Sequence, residues 1–125
     1  MRHTGGLVLE RLLRATVNTW NGLIAATRSE EAFRQELFVL ALAVPLAFFV
    51  SDGRLHALTL IGVLLLVLVV ELLNTAIEKL SDFITPAQDE RIGRIKDMGS
   101  AAVGLSIIAA ALIWLQAIAE RFGWF

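Results

Sequence analysis

From Leu37 onward the chain alternates long apolar stretches with short polar ones, a pattern that predicts three membrane-spanning helices. Upstream, Leu7, Leu9, Leu12, Leu13, Val17, Trp20, Leu23 and Ile24 recur at helical spacing among Arg11, Arg14, Asn18 and Asn21. Residues 7–28 therefore read as an amphipathic helix, too poor in apolar length to span, lying at the membrane surface with Trp20 as an anchor. Ser29-Glu30-Glu31 is a start signal, with Ser29 as cap and two acids in the first turn. The first span is expected over 32–50. Its apolar heart, Leu37–Val50, is short against the ~20 residues a bilayer requires, so Phe33-Arg34-Gln35-Glu36 belongs at the interface. Pro45 should kink this helix, which membrane helices tolerate when neighbours satisfy the freed carbonyl. Ser51-Asp52-Gly53-Arg54 reads as a tight turn. The second span covers 55–83, apolar through Ala76 and polar beyond it. Pro86 stops it, leaving Thr85-Pro86-Ala87-Gln88-Asp89-Glu90 as a loop. The third span covers 98–119 and ends in Glu120-Arg121-Phe122-Gly123-Trp124-Phe125, whose aromatics suit an interface.

One residue breaks the pattern. Glu71 follows Leu66-Val67-Leu68-Val69-Val70 and precedes Leu72-Leu73-Asn74, deep in the second span. A carboxylate at membrane depth costs ~2.5–3.5 kcal/mol on insertion scales. At ~100° per residue, Asn74, Glu78 and Asp82 fall at ~300°, ~340° and ~20° from Glu71. All four share one stripe of one helix, and the stripe reads as a site.

Composition supports the membrane reading. The chain has 125 residues, 57% hydrophobic and 18% charged, with a mean hydropathy of +0.71. Soluble domains carry ~25% charged residues. The length suits one small domain, 1–125. A net charge of −1 without a basic block argues against nucleic acid as a partner. With no cysteine there is no disulfide framework and no thiolate chemistry. The N-terminal Met-Arg-His-Thr-Gly-Gly-Leu lacks the apolar core and cleavage site of a signal peptide. Of 11 basic residues, all but Arg54 and Arg121 precede the apolar heart of the first span or lie between the apolar part of the second span and the third span. The positive-inside rule then puts the N-terminus and the 79–97 segment in the cytoplasm. Glu30, Lys96 and Asp97 fall at the same level as the polar end of the stripe. A charged stripe facing lipid would be unstable, so an oligomer that buries it is expected.

The chain has no phosphate-binding glycine loop, no Gly-x-Gly-x-x-Gly, no His-Glu-x-x-His and no Gly-x-Ser-x-Gly. His3 and His56 stand away from the stripe, which leaves oxygen chemistry. Glu78 and Glu30 offer hard ligands for a divalent cation such as Mg²⁺, which takes one or two carboxylates and fills its shell with water and phosphate oxygens. Lys96 is a compact cation for a phosphate, and Asp97 could orient it or a second metal. Glu71, deeper and less solvated, suits a general base for a lipid hydroxyl. That layout fits phosphoryl transfer from a soluble nucleotide to a membrane alcohol. Blander readings stand beside each residue. Glu71 and Asn74 could tie helices together, or line a small oligomeric proton or ion pathway. Glu30 and Glu31 could serve the helix dipole alone. Lys96 could be a snorkelling lysine, and Asp82 and Asp89, taken singly, read as solvated. Trp20, Trp114 and Trp124 are most simply interface anchors. Gly99, Ser100, Ala101, Ala102 and Gly104 read as a close-packing face, and the whole chain could be a non-enzymatic scaffold.

Glu71-Leu-Leu-Asn74-Thr-Ala-Ile-Glu78, then Asp82, then Lys96-Asp97-Met-Gly-Ser100-Ala-Ala-Val together resemble the prokaryotic diacylglycerol kinase family. Glu30 with Ala32-Phe33-Arg34-Gln35-Glu36, and Arg11 with Trp20-Asn-Gly22-Leu, extend the resemblance over nearly the whole chain. The Phe-Arg-Gln-Glu and Met98-Gly99-Ser100 segments resemble the Gram-negative branch more than the undecaprenol kinase branch. Asn18 stands where relatives have a tyrosine, and Thr85-Pro86 is a second departure. The resemblance implies an all-α membrane protein, an N-terminal amphipathic surface helix plus three transmembrane helices, assembled as a homotrimer in the bacterial inner membrane. It implies transfer of the γ-phosphate of MgATP to diacylglycerol, giving phosphatidic acid in lipid recycling. It makes Glu71 the general base and Glu30 with Glu78 the metal ligands. Arg11, Glu30, Asn74, Glu78, Asp89, Lys96 and Asp97 would surround the nucleotide. Arg11, Trp20, Phe33, Arg34, Glu36, Glu71, Ser100 and Trp114 would border the lipid.

Overall fold

A computed structural model of the chain describes residues 4–124, so Arg2, His3 and Phe125 lie outside the described residues. These residues are all-helical: α1 (Thr4–Ser29), α2 (Glu31–Val50), α3 (Arg54–Ile84) and α4 (Glu90–Arg121). They fall into two compact units, Met1–Arg34 and Gln35–Phe125.

In the first unit, α1 keeps the amphipathic spacing of the sequence, and Leu7, Leu12, Leu13, Val17 and Trp20 are all exposed. An exposed apolar stripe of this kind suits a membrane surface. Threonines are tolerated inside α1 because their hydroxyls bond back one turn: Thr16 to Leu12 O, Thr19 to Ala15 O and Thr27 to Leu23 O. Ser29 is the last residue of α1 and does not cap α2, contrary to the sequence expectation. The junction contains neither glycine nor proline, and backbone bonds run through it from Glu30 N–H to Ala26 O and from Arg34 N–H to Glu30 O. A single residue, Glu30, therefore separates the helices. Arg34 donates to the carbonyls of Thr27 (2.9 Å) and Arg28 (3.2 Å), two of the acceptors that a helix end leaves open.

In the second unit, α2, α3 and α4 are each long and apolar enough to cross a bilayer. Pro45 lies within α2. Gly53, at φ 148, makes the turn into α3 in a backbone region that side chains rarely enter. The Asp52 N–H donates to His56 Nδ1 at 2.9 Å, so the histidine braces this turn from the first turn of α3. The far end of α3 stops where Pro86 drives Thr85 into extended backbone, φ −154 and ψ 122. Asp89 then caps α4, accepting from the N–H groups of Arg91 and Ile92. Helix α4 begins at Glu90, well before the span expected from Met98, because Ile92, Ile95 and the cap carry it through the polar segment.

One packed hydrophobic cluster lies toward the end of the helices nearest the α2–α3 turn. Ala47 and Val50 of α2, Leu60 of α3 and Ala117 of α4 form it, with Ile61, Ile113, Trp114 and Ile118 packed around. Alanines at the contacts let backbones approach closely, which substitutes for a hydrophobic effect that lipid cannot supply. Trp114 is tied into this cluster. Its indole N–H donates to Leu60 O at 3.1 Å, joining α4 to α3 within the spans. Arg121 closes the same end, donating to Phe49 O at 3.2 Å with its guanidinium 4.8 Å from the Phe49 ring centroid.

Candidate functional site

Helices α3 and α4 run antiparallel, as three contacts along their length show: Leu60 with Trp114, Asn74 with Gly99, and Asp82 with Lys96. The packed core occupies the first contact, and the candidate site occupies the other two. The polar stripe of α3 is graded. Asn74 is 8% exposed, Glu71 is half-buried, and Glu78 and Asp82 are exposed. Asn74 Nδ2 donates to Glu78 Oε1 at 3.3 Å, the one-turn bond that the helical spacing allows. Asn74 Oδ1 is buried without a hydrogen-bond partner and lies against Gly99. Glu36 of α2 is within electrostatic reach of Glu71, and its Oε2 is also buried without a partner.

Near the loop, Lys96 Nζ donates to Asp82 Oδ1 at 2.5 Å. Asp82 is therefore a partner of Lys96 rather than only a solvated end to the stripe. Sequence separation hid this pair, since periodicity on α3 does not say which residue of α4 faces it. Lys96 and Asp89 line one open cavity of about 560 Å³ with the 85–90 loop and Gly93. Asp89, read as solvated when taken singly, is the cap of α4. Hydrogen bonding from the Arg91 side chain, then from the N–H groups of Arg91 and Ile92, holds its carboxyl below the ordinary 3.8. Asp97 and Ser100 are exposed on α4. Trp114 lines an apolar groove of about 260 Å³ with Val39, Leu42, Leu46 and Leu64.

The remaining candidates belong to the first unit. Arg11 and Trp20 are exposed on α1, Phe33 is 2% exposed, and Arg34 caps α1. Ser29 Oγ lies 3.5 Å from Glu30 Oε1. Among the described residues no group of three or more His, Asp or Glu could hold a metal alone. The donor chemistry nevertheless suits Mg²⁺, which needs only one or two protein carboxylates when phosphate oxygens complete its shell. Glu78 is exposed and has one oxygen held by Asn74, leaving the other for a cation.

Comparison with known proteins bears on this arrangement. The family model for prokaryotic diacylglycerol kinase matches residues 17–118. A diacylglycerol kinase from Escherichia coli (strain K12) is 42% identical over 113 residues, 90% of this chain and 93% of the relative. A diacylglycerol kinase from Pseudomonas aeruginosa is 38% identical over 106 residues, 85% of this chain and 86% of the relative. One from Haemophilus influenzae is 36% identical over 106 residues, 85% of this chain and 90% of the relative. The chain belongs to the prokaryotic diacylglycerol kinase family.

Proposed function

We propose that this protein is an ATP-dependent lipid kinase that transfers the γ-phosphate of MgATP to diacylglycerol, forming phosphatidic acid and ADP. The observation that carries the reading is membership of the family, whose matched region, residues 17–118, contains the whole Glu71–Asn74–Glu78 stripe. In this reading Glu71 takes the proton of the lipid hydroxyl as its oxygen bonds to the γ-phosphorus and the bond to ADP breaks. The half-buried position of Glu71, on the stripe that also carries Asn74 and Glu78, supports that role. Glu30 and Glu78 would hold the Mg²⁺, which would supply positive charge to offset that of the phosphates. Asn74 orients Glu78. Lys96 and Asp97, with Asp89 at the loop and Arg11 from α1, bind the nucleotide. Trp20, Phe33, Arg34, Glu36, Ser100 and Trp114 border the lipid, and the apolar groove beside Trp114 supports its assignment. The protein works as a homotrimer in the bacterial inner membrane with its N-terminus in the cytoplasm. The distribution of basic residues supports that orientation.

The decisive assay is purified protein in mixed micelles with γ-labelled ATP, Mg²⁺ and either diacylglycerol or undecaprenol. Labelled phosphatidic acid is expected from the first lipid and little product from the second. No labelled lipid from either would refute the kinase reading. Undecaprenyl phosphate as the main product would move the protein to the other branch.

A further inference from the structure

We infer that Gly99 is a positioning residue: its missing side chain lets Asn74 lie against α4 and hold Glu78 ready for the nucleotide's cation. The inference rests on the kinase reading above. A Cβ placed on Gly99 would stand 2.2 Å from Asn74 Oδ1, 3.3 Å from its Cγ and 3.9 Å from its Cβ. All three nearest atoms belong to Asn74. Its carboxamide is 8% exposed as a residue, has an unpartnered Oδ1 aimed at Gly99, and uses Nδ2 to hold Glu78 Oε1 at 3.3 Å. A methyl group at position 99 would have to turn the Asn74 side chain, and turning it breaks the bond that fixes Glu78. Two further observations single out this glycine. Gly93 and Gly104 lie on the same helix, yet a Cβ at either meets nothing within 4 Å. Among the described residues the positive-φ glycines are Gly53 and Gly123, so backbone conformation does not call for glycine at 99. Alanine is the better helix former there. The side chain across the helix pair is what excludes it.

The test is a double-mutant cycle on the full-length protein in detergent: Gly99→Ala, Asn74→Ala, both together, and Gly104→Ala as the neighbouring control. Steady-state rates give separate constants for MgATP and diacylglycerol, and EPR titration with Mn²⁺ reads cation affinity independently of turnover. A misplacement of about 1 Å can cost ~100-fold in rate, so Gly99→Ala should lower kcat/KM for MgATP by about 10–100-fold. It should also weaken Mn²⁺ binding while leaving the KM for diacylglycerol unchanged. Added to Asn74→Ala, it should have no further effect, because the group it displaces is gone. Wild-type behaviour of Gly99→Ala would overturn the inference, as would an equal loss in the Asn74→Ala background or in Gly104→Ala. If Gly99→Ala fails to fold, a folded double variant supports the contact with Asn74, and an unfolded one refutes it. Absence of lipid phosphorylation by the wild type would reject the kinase reading, and the Mn²⁺ titrations would still decide whether Gly99 sets the Glu78 site.

Discussion

If Glu71 is the base of the proposed reaction, stability and function pull in opposite directions there. A carboxylate within a span costs ~2.5–3.5 kcal/mol on insertion scales, and replacing it with the neutral amide removes that cost. Glu71→Gln should therefore melt at the same temperature as the wild type or higher. General-base catalysis contributes ~10²–10⁴-fold, so the same variant should lose activity by that order. Thermal unfolding in detergent and the micelle assay, run on one preparation, separate the two effects. A variant that keeps full activity would remove Glu71 from the chemistry. The stripe around Glu71 was legible because a helix repeats on itself, and Asn74–Glu78 is a one-turn pair that counting alone finds. The contacts across the helix pair were not legible. Nothing in the spacing of α3 says that Asn74 meets Gly99 or that Asp82 meets Lys96, and the run of small residues on α4 points equally at Gly99 and Gly104. Only the first of these abuts a neighbour within the chain.

Helices α3 and α4 are 31 and 32 residues long. At ~1.5 Å per residue each exceeds the ~30 Å of a bilayer's hydrocarbon by about half. The excess lifts the polar ends of both helices out of the apolar layer, where charge is tolerated. Their common end depends on Asp89, which starts α4. Its carboxyl is held below 3.8 by the Arg91 side chain first and by backbone N–H groups next. A carboxyl with a lowered folded pKa contributes stability above its unfolded value, and that contribution disappears as pH falls through the folded one. Amide exchange at Arg91 and Ile92, corrected for the intrinsic rate, should therefore quicken as pH drops below about 4. Asn is as good a cap as Asp but does not titrate, so Asp89→Asn should abolish this pH dependence while keeping protection near neutrality. Unchanged protection in the wild type down to pH ~2 would show that the cap does not hold the helix start. The existence of these helices was legible from hydrophobic runs and from Pro86. The early start of α4 was not, because polar residues 90–97 lack the apolar run that marks a span. Ser29 misled for a related reason: a capping residue signals a start only where the preceding helix stops, and here almost nothing stops it.

For the whole molecule the question is what covers the stripe. Glu78 and Asp82 are exposed, Glu71 is half-buried, and the apolar surfaces of all three spans face outward within one chain. A membrane gives charged groups no lipid-facing home, so further copies of the chain are the expected cover. If the copies form a homotrimer, a site can draw Glu30 from one subunit and Lys96 from the next. Neither Glu30→Gln nor Lys96→Ala should be active alone. Co-expressed at equal levels and assembled at random into a ring of three, they give intact Glu30 facing intact Lys96 at about a quarter of subunit boundaries. Recovered activity should approach about a quarter of the wild-type value, measured on protein whose trimeric mass is confirmed by light scattering. Were both residues drawn from a single chain, every site in the mixture would carry a defect, and activity would stay at the level of the single variants. Two inactive parents with active offspring can arise only if the site crosses between chains, which would make the subunit boundary the place where this chain acquires its chemistry.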